Sequence, residues 1–135
     1  MDKKEFLSRF HNLQEKIEKK KAYIEFCEER ATSISSPVLS DMPRSPNRST
    51  EAPFVKWIYK KLDAEDELKD LESKLEVVRT EIETAISKLE NEELEQVLLY
   101  HYIDWYSWTV IESKMFLSKS SLIRLHREAL EKLVI

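Results

Sequence analysis

Residues 106–135, YSWTVIESKMFLSKSSLIRLHREALEKLVI, contain two apolar patterns of helical spacing with a short interruption between them. The first pattern consists of Trp108, Ile111 and Met115. The second consists of Leu122, Leu125, Ala129 and Leu133. Residues three or four apart share one face of a helix, so each pattern predicts an amphipathic helix. Ser118 is a natural N-cap for the second helix, and the stretch therefore predicts two helices joined by a tight turn.

The outward face of the second predicted helix is basic. At about 100° per residue, the face opposite the apolar one carries Ser120, Ile123, Arg124 and Arg127, with Lys119 at its edge. Residues 107–127 hold four basic residues and one acid, a local charge of +3, in a chain whose net charge is -4. Guanidinium groups bind phosphates and the acceptor edges of guanine, so this pattern favours double-stranded DNA as a partner. The predicted DNA-binding residues are Lys114, Lys119, Ser120, Ser121, Arg124 and Arg127.

Several of these residues together resemble a known family. They are Tyr102-Ile103, Ser107-Trp108, Ile111, Lys114-Met115, Ser118, Arg124-Leu125-His126-Arg127 and Ala129-Leu130. The pattern resembles the C-terminal domain of phage late-gene transcriptional activators of the ArpU and RinA type, relatives of the promoter-binding helix-turn-helix region of bacterial sigma factors. The resemblance covers residues 94–133. It implies a transcription regulator of phage or prophage origin, with RNA polymerase as a candidate further partner.

The chain departs from that family pattern at three positions. Where the pattern has glycine, in the loop before the tryptophan and in the turn, this chain has Trp105 and Phe116. Where the pattern has alanine in the first helix, this chain has Glu112. A bulky residue at a turn position that favours positive φ costs about 1 kcal/mol.

Composition predicts an all-α protein. The 135 residues include no glycine, which removes glycine-rich phosphate loops and dinucleotide-binding motifs and disfavours hairpin turns. Charged residues make up 36% of the chain, which is high for a compact core and suits an elongated helical protein. The predicted fold is long heptad-patterned helices, as a coiled-coil-like hairpin or a dimer, followed by a small C-terminal helix-turn-helix domain.

Two heptad seams precede the C-terminal region. The first contains Phe6, Phe10, Leu13, Ile17, Ile24, Cys27, Ala31 and Ile34. The second contains Phe54, Trp57, Ala64, Leu68, Leu71, Leu75, Val78, Ile82, Ala85 and Leu89. One lysine interrupts each seam, Lys20 in the first and Lys61 in the second. A single helix cannot bury such a stripe, so each seam requires a partner, either the other helix or a second copy of the chain in a homo-oligomer.

The segment between the seams, residues 35–53, contains all four prolines and is rich in serine, which predicts a flexible linker. An alternative is a partner-binding peptide in which Arg44 and Arg48 contact phosphate. The predicted organisation is an N-terminal coiled-coil helix at 1–34, the linker at 35–53, a second long coiled-coil helix at 54–90 and a helix-turn-helix DNA-binding domain at 91–135. Asn91 is the expected N-cap of a further helix that packs on the helix-turn-helix pair.

Other residues with chemical potential have simpler explanations. The aromatic residues Tyr100, Tyr102, Trp105, Tyr106 and Trp108 are predicted to fill the core of the small C-terminal unit, with stacking on single-stranded bases as the alternative. His11, His101 and His126 lack the spacing of metal ligands, so no metal site is expected. No arrangement of nucleophile and base is present, so neither catalysis nor a cofactor is expected.

The expected cellular location follows from the absence of a membrane-spanning segment and of a signal peptide in the sequence. No apolar run approaches the ~20 residues that span a membrane, and the N-terminus does not resemble a signal peptide. A cytoplasmic protein without membrane contact is therefore expected. The predicted function is a sequence-specific DNA-binding transcription regulator that reads the major groove with its last helix. The alternative is a structural or scaffolding coiled-coil protein, such as a phage assembly or packaging accessory, that does not bind DNA.

Overall fold

The computed structural model describes residues 2–33 and 54–135, which are all-helical. The helices are α1 (Lys3–Ser33), α2 (Val55–Ser87), α3 (Glu92–Leu98), α4 (Trp108–Met115) and α5 (Lys119–Lys132), with a π-helical turn at Leu99–Ile103. No strand occurs in these two ranges, so the all-α prediction is confirmed. The predicted linker at 35–53, including Arg44 and Arg48, lies outside the described residues. None of the helices in the described ranges is both long and apolar enough to cross a bilayer.

The chain forms two compact units, and both long helices contribute to each. The first unit comprises Met1–Glu15 and Ser73–Ile135, and the second comprises Lys16–Glu72. The unit boundaries therefore fall inside α1 and α2 and not at their ends.

In the second unit α1 and α2 run antiparallel. Lys20 of α1 forms an ion pair with Glu67 of α2. Lys61 of α2 forms another with Glu28 of α1, at 3.1 Å. Residue numbers thus rise along one helix as they fall along the other. The two lysines that interrupt the heptad seams are the residues that make these pairs, which explains how a charged side chain is accommodated in each apolar stripe.

Burial follows the predicted seams in the second unit, whereas the first unit also buries Leu7 and Ile86, which lie outside the seams. Every described apolar member of both seams is buried or half-buried, with Ile17, Cys27 and Ala64 fully buried in the second unit. By contrast, Tyr59 and Leu62 of α2 lie outside the seam and are 60% and 51% exposed. In the second unit, the other helix of the same chain therefore lies against these buried seam residues.

The core of the first unit is formed by the start of α1, the end of α2 and the C-terminal helices. Its fully or nearly fully buried members are Leu7, Phe10, Ile82, Ala85, Ile86, Leu94, Leu98, Tyr102, Ala129 and Leu133. These residues belong to α1, α2, α3, the π-helical turn and the end of α5. The C-terminal region therefore shares its core with the first turns of α1 and the last turns of α2, and each buried aliphatic side chain contributes about 1.5–3 kcal/mol.

The α2–α3 junction is a sharp break with a well-formed cap. α2 ends at Ser87, and three residues later Glu90 has a positive φ of 53°. The side chain of Asn91 then accepts hydrogen bonds from the backbone N–H groups of Glu93 and Leu94 at 3.0 and 3.3 Å. The predicted N-cap is confirmed, and α3 packs on α5 as the sequence predicted for a third helix.

Candidate nucleic-acid interface

The α4–α5 pair is held at each helix start by a serine cap. Ser107 accepts a hydrogen bond from the backbone N–H of Val110 at 3.4 Å, which caps α4. Ser118 accepts one from the backbone N–H of Ser121, also at 3.4 Å, and caps α5 as predicted. Only three residues, Phe116 to Ser118, separate the helices. The predicted helix, tight turn and helix are therefore present at these positions.

The connection between the helices uses a left-handed backbone conformation. Phe116 has φ 56° and ψ 39°, so it ends α4 in the conformation that glycine adopts without strain. Trp105, in the loop before α4, has φ 57°. Trp105 and Phe116 thus both have positive φ, a backbone conformation that costs a residue other than glycine local strain.

A small apolar core fixes the orientation of α5. Val97 of α3, Ile111 of α4 and Leu122 of α5 are completely buried together. Leu117, Leu125 and Trp108 pack around them half-buried. Because Leu122 faces inward, the residues on the other side of α5 face outward.

Four of the six predicted DNA-binding residues lie on this outward side. Lys119, Ser120, Arg124 and Arg127 are all exposed. No ion pair joins Lys119, Arg124 or Arg127 to another described residue. The acid Glu128 on the same helix pairs with Lys132 at 2.9 Å. The outward side of α5 therefore presents cations whose charge is not neutralised within the described part of the chain.

The other two predicted residues have contacts of their own. Ser121 is half-buried, and its hydroxyl accepts a hydrogen bond from Ser118 at 3.0 Å within the cap of α5. Lys114 is exposed at the end of α4, with its ammonium 4.9 Å from the centre of the Tyr106 ring. A cation over an aromatic face keeps its charge, so Lys114 remains able to contact an anion. Ser121 is less accessible than the other five residues.

Behind the helix pair lies a cluster of histidines and aromatic rings that the sequence spacing did not indicate. His101 stacks on Trp108 with ring centres 4.3 Å apart, and its ring lies 5.4 Å from that of His126. The hydroxyl of Tyr102 and Nε2 of His126 share a hydrogen bond of 2.8 Å. The π-helical turn brings these groups together, since it places His101 and Tyr102 on the side facing α4 and α5.

Burial controls the protonation of this cluster. Burial lowers the pKa of His126 to about 4, with a further contribution from the nearby His101. Burial also lowers the pKa of His101 from its ordinary value and raises the pKa of Tyr102 to about 12. All three side chains are consequently neutral near pH 7, and His126 lies at the edge of the core as the sequence suggested.

The predicted aromatic core is only partly observed. Tyr102 is buried, and Tyr100, Tyr106 and Trp108 are half-buried. Trp105 is 48% exposed and stacks flat on His11 of α1, with ring centres 3.5 Å apart. Within the described residues, no group of three or more histidine, cysteine or acidic side chains is arranged to hold a metal ion.

One neighbour of α5 in the structure could not be found from local sequence patterns. The ammonium of Lys3 donates hydrogen bonds to the backbone carbonyls of Leu130 and Glu131, at 2.7 and 3.1 Å. These contacts join residues 127 positions apart in the chain or more, and no spacing rule reports them. The start of α1 therefore lies directly beside the end of α5.

Comparisons with known proteins leave the function to be argued from the chain itself. No protein-family model, no curated protein and no solved structure matches this sequence or fold significantly.

Proposed function

We propose that this protein is a sequence-specific DNA-binding regulator of transcription, of phage or prophage origin, in which α5 lies in the major groove of double-stranded DNA. The observation that carries the proposal is the outward side of α5. It presents Lys119, Arg124 and Arg127 without ion-pair partners in the described residues, on a helix anchored by Leu122. A recognition helix requires cations held at fixed positions over a packed support.

Each side chain has a different role in this proposal. Arg124 lies one turn or so into α5, where recognition helices contact base edges, and its planar guanidinium suits the two acceptors of guanine. Lys119 and Ser120 lie at the start of the helix, and Lys114 lies at the end of α4. These groups suit contacts to phosphate oxygens, which position the helix without reading sequence.

The charge distribution supports a selective binder. A net charge of -4 opposes indiscriminate coating of DNA, because the counterion release that drives such binding needs segregated positive charge. The cations on the outward side of α5 are segregated in this way. The family resemblance adds the link to transcription, and with it RNA polymerase as a proposed second partner.

The test is a DNA titration of the wild type, two variants of α5 and one control variant at several salt concentrations. The probes are duplex fragments from the genomic neighbourhood of the gene and an unrelated duplex. We expect Arg124→Ala to cost about 1–3 kcal/mol on the specific fragment and to relax discrimination between the two probes. We expect Lys119→Ala to weaken binding to both probes and to lower the salt slope by about one.

Lys88→Ala is the matched control, since Lys88 is exposed beyond the end of α2 and its replacement changes the net charge equally. Circular dichroism establishes that all variants are folded. Equal affinities for the wild type, Arg124→Ala and Lys119→Ala at every salt concentration would rule out DNA recognition by α5.

A second candidate function is a scaffolding protein, favoured by the exposed apolar side chains on α2. Tyr59 and Leu62 lie outside the seam that α1 covers, and are more than half exposed. Self-association through the long helices would bury them. This candidate predicts a concentration-dependent oligomer in sedimentation experiments and no effect of the Arg124 or Lys119 variants on DNA titrations.

A further inference from the structure

A shallow groove of about 620 Å³ lies beside α5 in the first compact unit. One wall is formed by the first residues of the chain, including Lys3 and Lys4, and the other by the side of α5 that carries Ile123 and Arg127. Arg127 therefore belongs both to the outward side of α5 and to this groove. Sequence patterns gave no reason to connect residues so far apart in the chain.

The groove has a fixed geometry because Lys3 joins its two walls. The hydrogen bonds from Lys3 to the carbonyls of Leu130 and Glu131 tie the first turn of α1 to the last turn of α5. Those carbonyls have no partner within α5 itself, so a cation is especially stabilising there. The charge of Lys3 is engaged in this contact.

Lys4 has no such role. It is exposed and forms no ion pair with another described residue. Its charge lies close enough to α5 to contribute to the lowered pKa of His126. Two acids, Asp2 and Glu131, also line the groove, and their negative charges repel an anion there. Lys4 and Arg127 are thus the two cations of the groove that remain available to a ligand.

We propose that this groove holds the phosphate backbone of one DNA strand, with Lys4 and Arg127 on the same stretch of phosphates. The inference rests on the proposed function and extends its interface to a second element, the start of α1. When a helix lies in the major groove, which is about 12 Å wide, the phosphates that border the groove pass along both sides of that helix. An element fixed beside the recognition helix then contacts the backbone and sets the register of binding without reading bases.

The test compares Lys4→Gln with Lys88→Gln, two exposed lysines whose replacement changes the net charge equally. Each is titrated with the fragment from the gene's neighbourhood and with a duplex of unrelated sequence. One lost phosphate contact lowers the salt slope by about 0.9 and weakens binding about five- to tenfold near 0.1 M salt. We expect that loss for Lys4→Gln on both duplexes, with the ratio between them unchanged, and no such loss for Lys88→Gln.

Asp2→Asn provides a test of opposite sign. Removing an acid from the groove should tighten binding to both duplexes, most clearly at low salt. Thermal unfolding of each variant checks that the first turn of α1 remains in place.

The outcomes separate this inference from the function on which it rests. If Arg124→Ala weakens binding while Lys4→Gln behaves like Lys88→Gln, DNA recognition stands and the groove contact is wrong. If neither the wild type nor any variant binds either duplex, the proposed function fails and the groove contact fails with it. A larger loss on the specific fragment than on the unrelated one would also overturn it, because that result indicates base reading and not phosphate binding.

Discussion

Phe116 occupies a backbone position that glycine would fill at lower cost. Its φ of 56° lies in the left-handed region, where the Cβ of an ordinary residue crowds the backbone. Glu90 and Trp105 also have positive φ, and the chain has no glycine to place at any of the three positions. The Phe116 side chain is also 90% exposed, so burial does not offset the strain.

Phe116→Gly should therefore stabilise the protein by about 1 kcal/mol. Urea unfolding followed by circular dichroism measures the change. Phe116→Ala is the matched control, since it removes the same aromatic ring but keeps a Cβ at positive φ, and should change the free energy of unfolding by less than about 0.5 kcal/mol. Equal stabilisation by both variants would show that the exposed ring, and not the backbone, is the source of strain.

His126 should make stability depend on pH in the mildly acidic range. The unfolded chain takes up a proton at His126 near its ordinary pKa of 6.5, whereas the folded protein does so only near pH 4. The unfolded state thus binds more protons between these values, and stability must fall as pH drops from about 6.5 towards 4. His101, whose pKa is also lowered, acts in the same direction.

Thermal unfolding between pH 7 and pH 5 measures this dependence, since most carboxylates titrate below that interval. His126→Gln retains a polar group near the Tyr102 hydroxyl but cannot titrate. We expect its unfolding midpoint to change less with pH than that of the wild type. Identical slopes would mean that His126 is protonated equally in the folded and unfolded states.

At the scale of the helical elements, α2 carries two leucines that differ in burial, one inside the seam and one outside it. Leu71 is half-buried in the seam, whereas Leu62 is 51% exposed outside it. Both lie on the same helix in the second compact unit. The same substitution at the two positions therefore isolates the contribution of the seam.

Leu71→Asp should cost about 2–4 kcal/mol, because it places a charge in a half-buried apolar seam and removes buried apolar surface. Leu62→Asp should cost less than about 1 kcal/mol, since an exposed helical position changes mainly in helix propensity. Circular dichroism during urea unfolding reports both values. If both variants lose a similar free energy of unfolding, the assignment of Leu71 to the seam and of Leu62 to the exposed face is wrong.

Local sequence patterns predict those structural features that depend on residues adjacent in the chain. Ser118 and Asn91 cap their helices as expected, because a cap depends on two or three following residues. The π-helical turn is not predictable in this way. Its hydrogen bond from the Asp104 N–H to the Leu99 carbonyl spans five residues, one more than in an α-helix, and no residue pattern in the sequence marks it.

In the candidate site, too, some features could be predicted from the sequence and others could not. The outward position of Arg124 follows from helical periodicity, and the structure places it there. The stacking of His101 on Trp108 and the position of Lys3 beside Leu130 depend on tertiary contacts, which no spacing within one helix reports. The antiparallel direction of α1 and α2 likewise could not be decided from the seams alone.

For the molecule as a whole, the C-terminal region depends on residues far away in sequence. Leu7 of α1 is completely buried in the cluster that also holds Ala129 and Leu133. Leu7→Ala should therefore cost about 2–5 kcal/mol. Urea unfolding measures the loss. Leu62→Ala, at an exposed position, is the control and should cost less than about 1 kcal/mol. If the two variants lose the same stability, the cluster does not hold the end of α5.

The cluster that joins Leu7 to Ala129 and Leu133, beside the contact of Lys3 with the end of α5, should also affect when the first unit completes its folding during synthesis. The first turns of α1 are synthesised before α5, which supplies Ala129 and Leu133 to their apolar cluster. Until then Leu7 and Phe10 remain without their full set of partners. Helical proteins with mostly local contacts fold fastest, so this long closure should delay the final packing step until translation has passed α5.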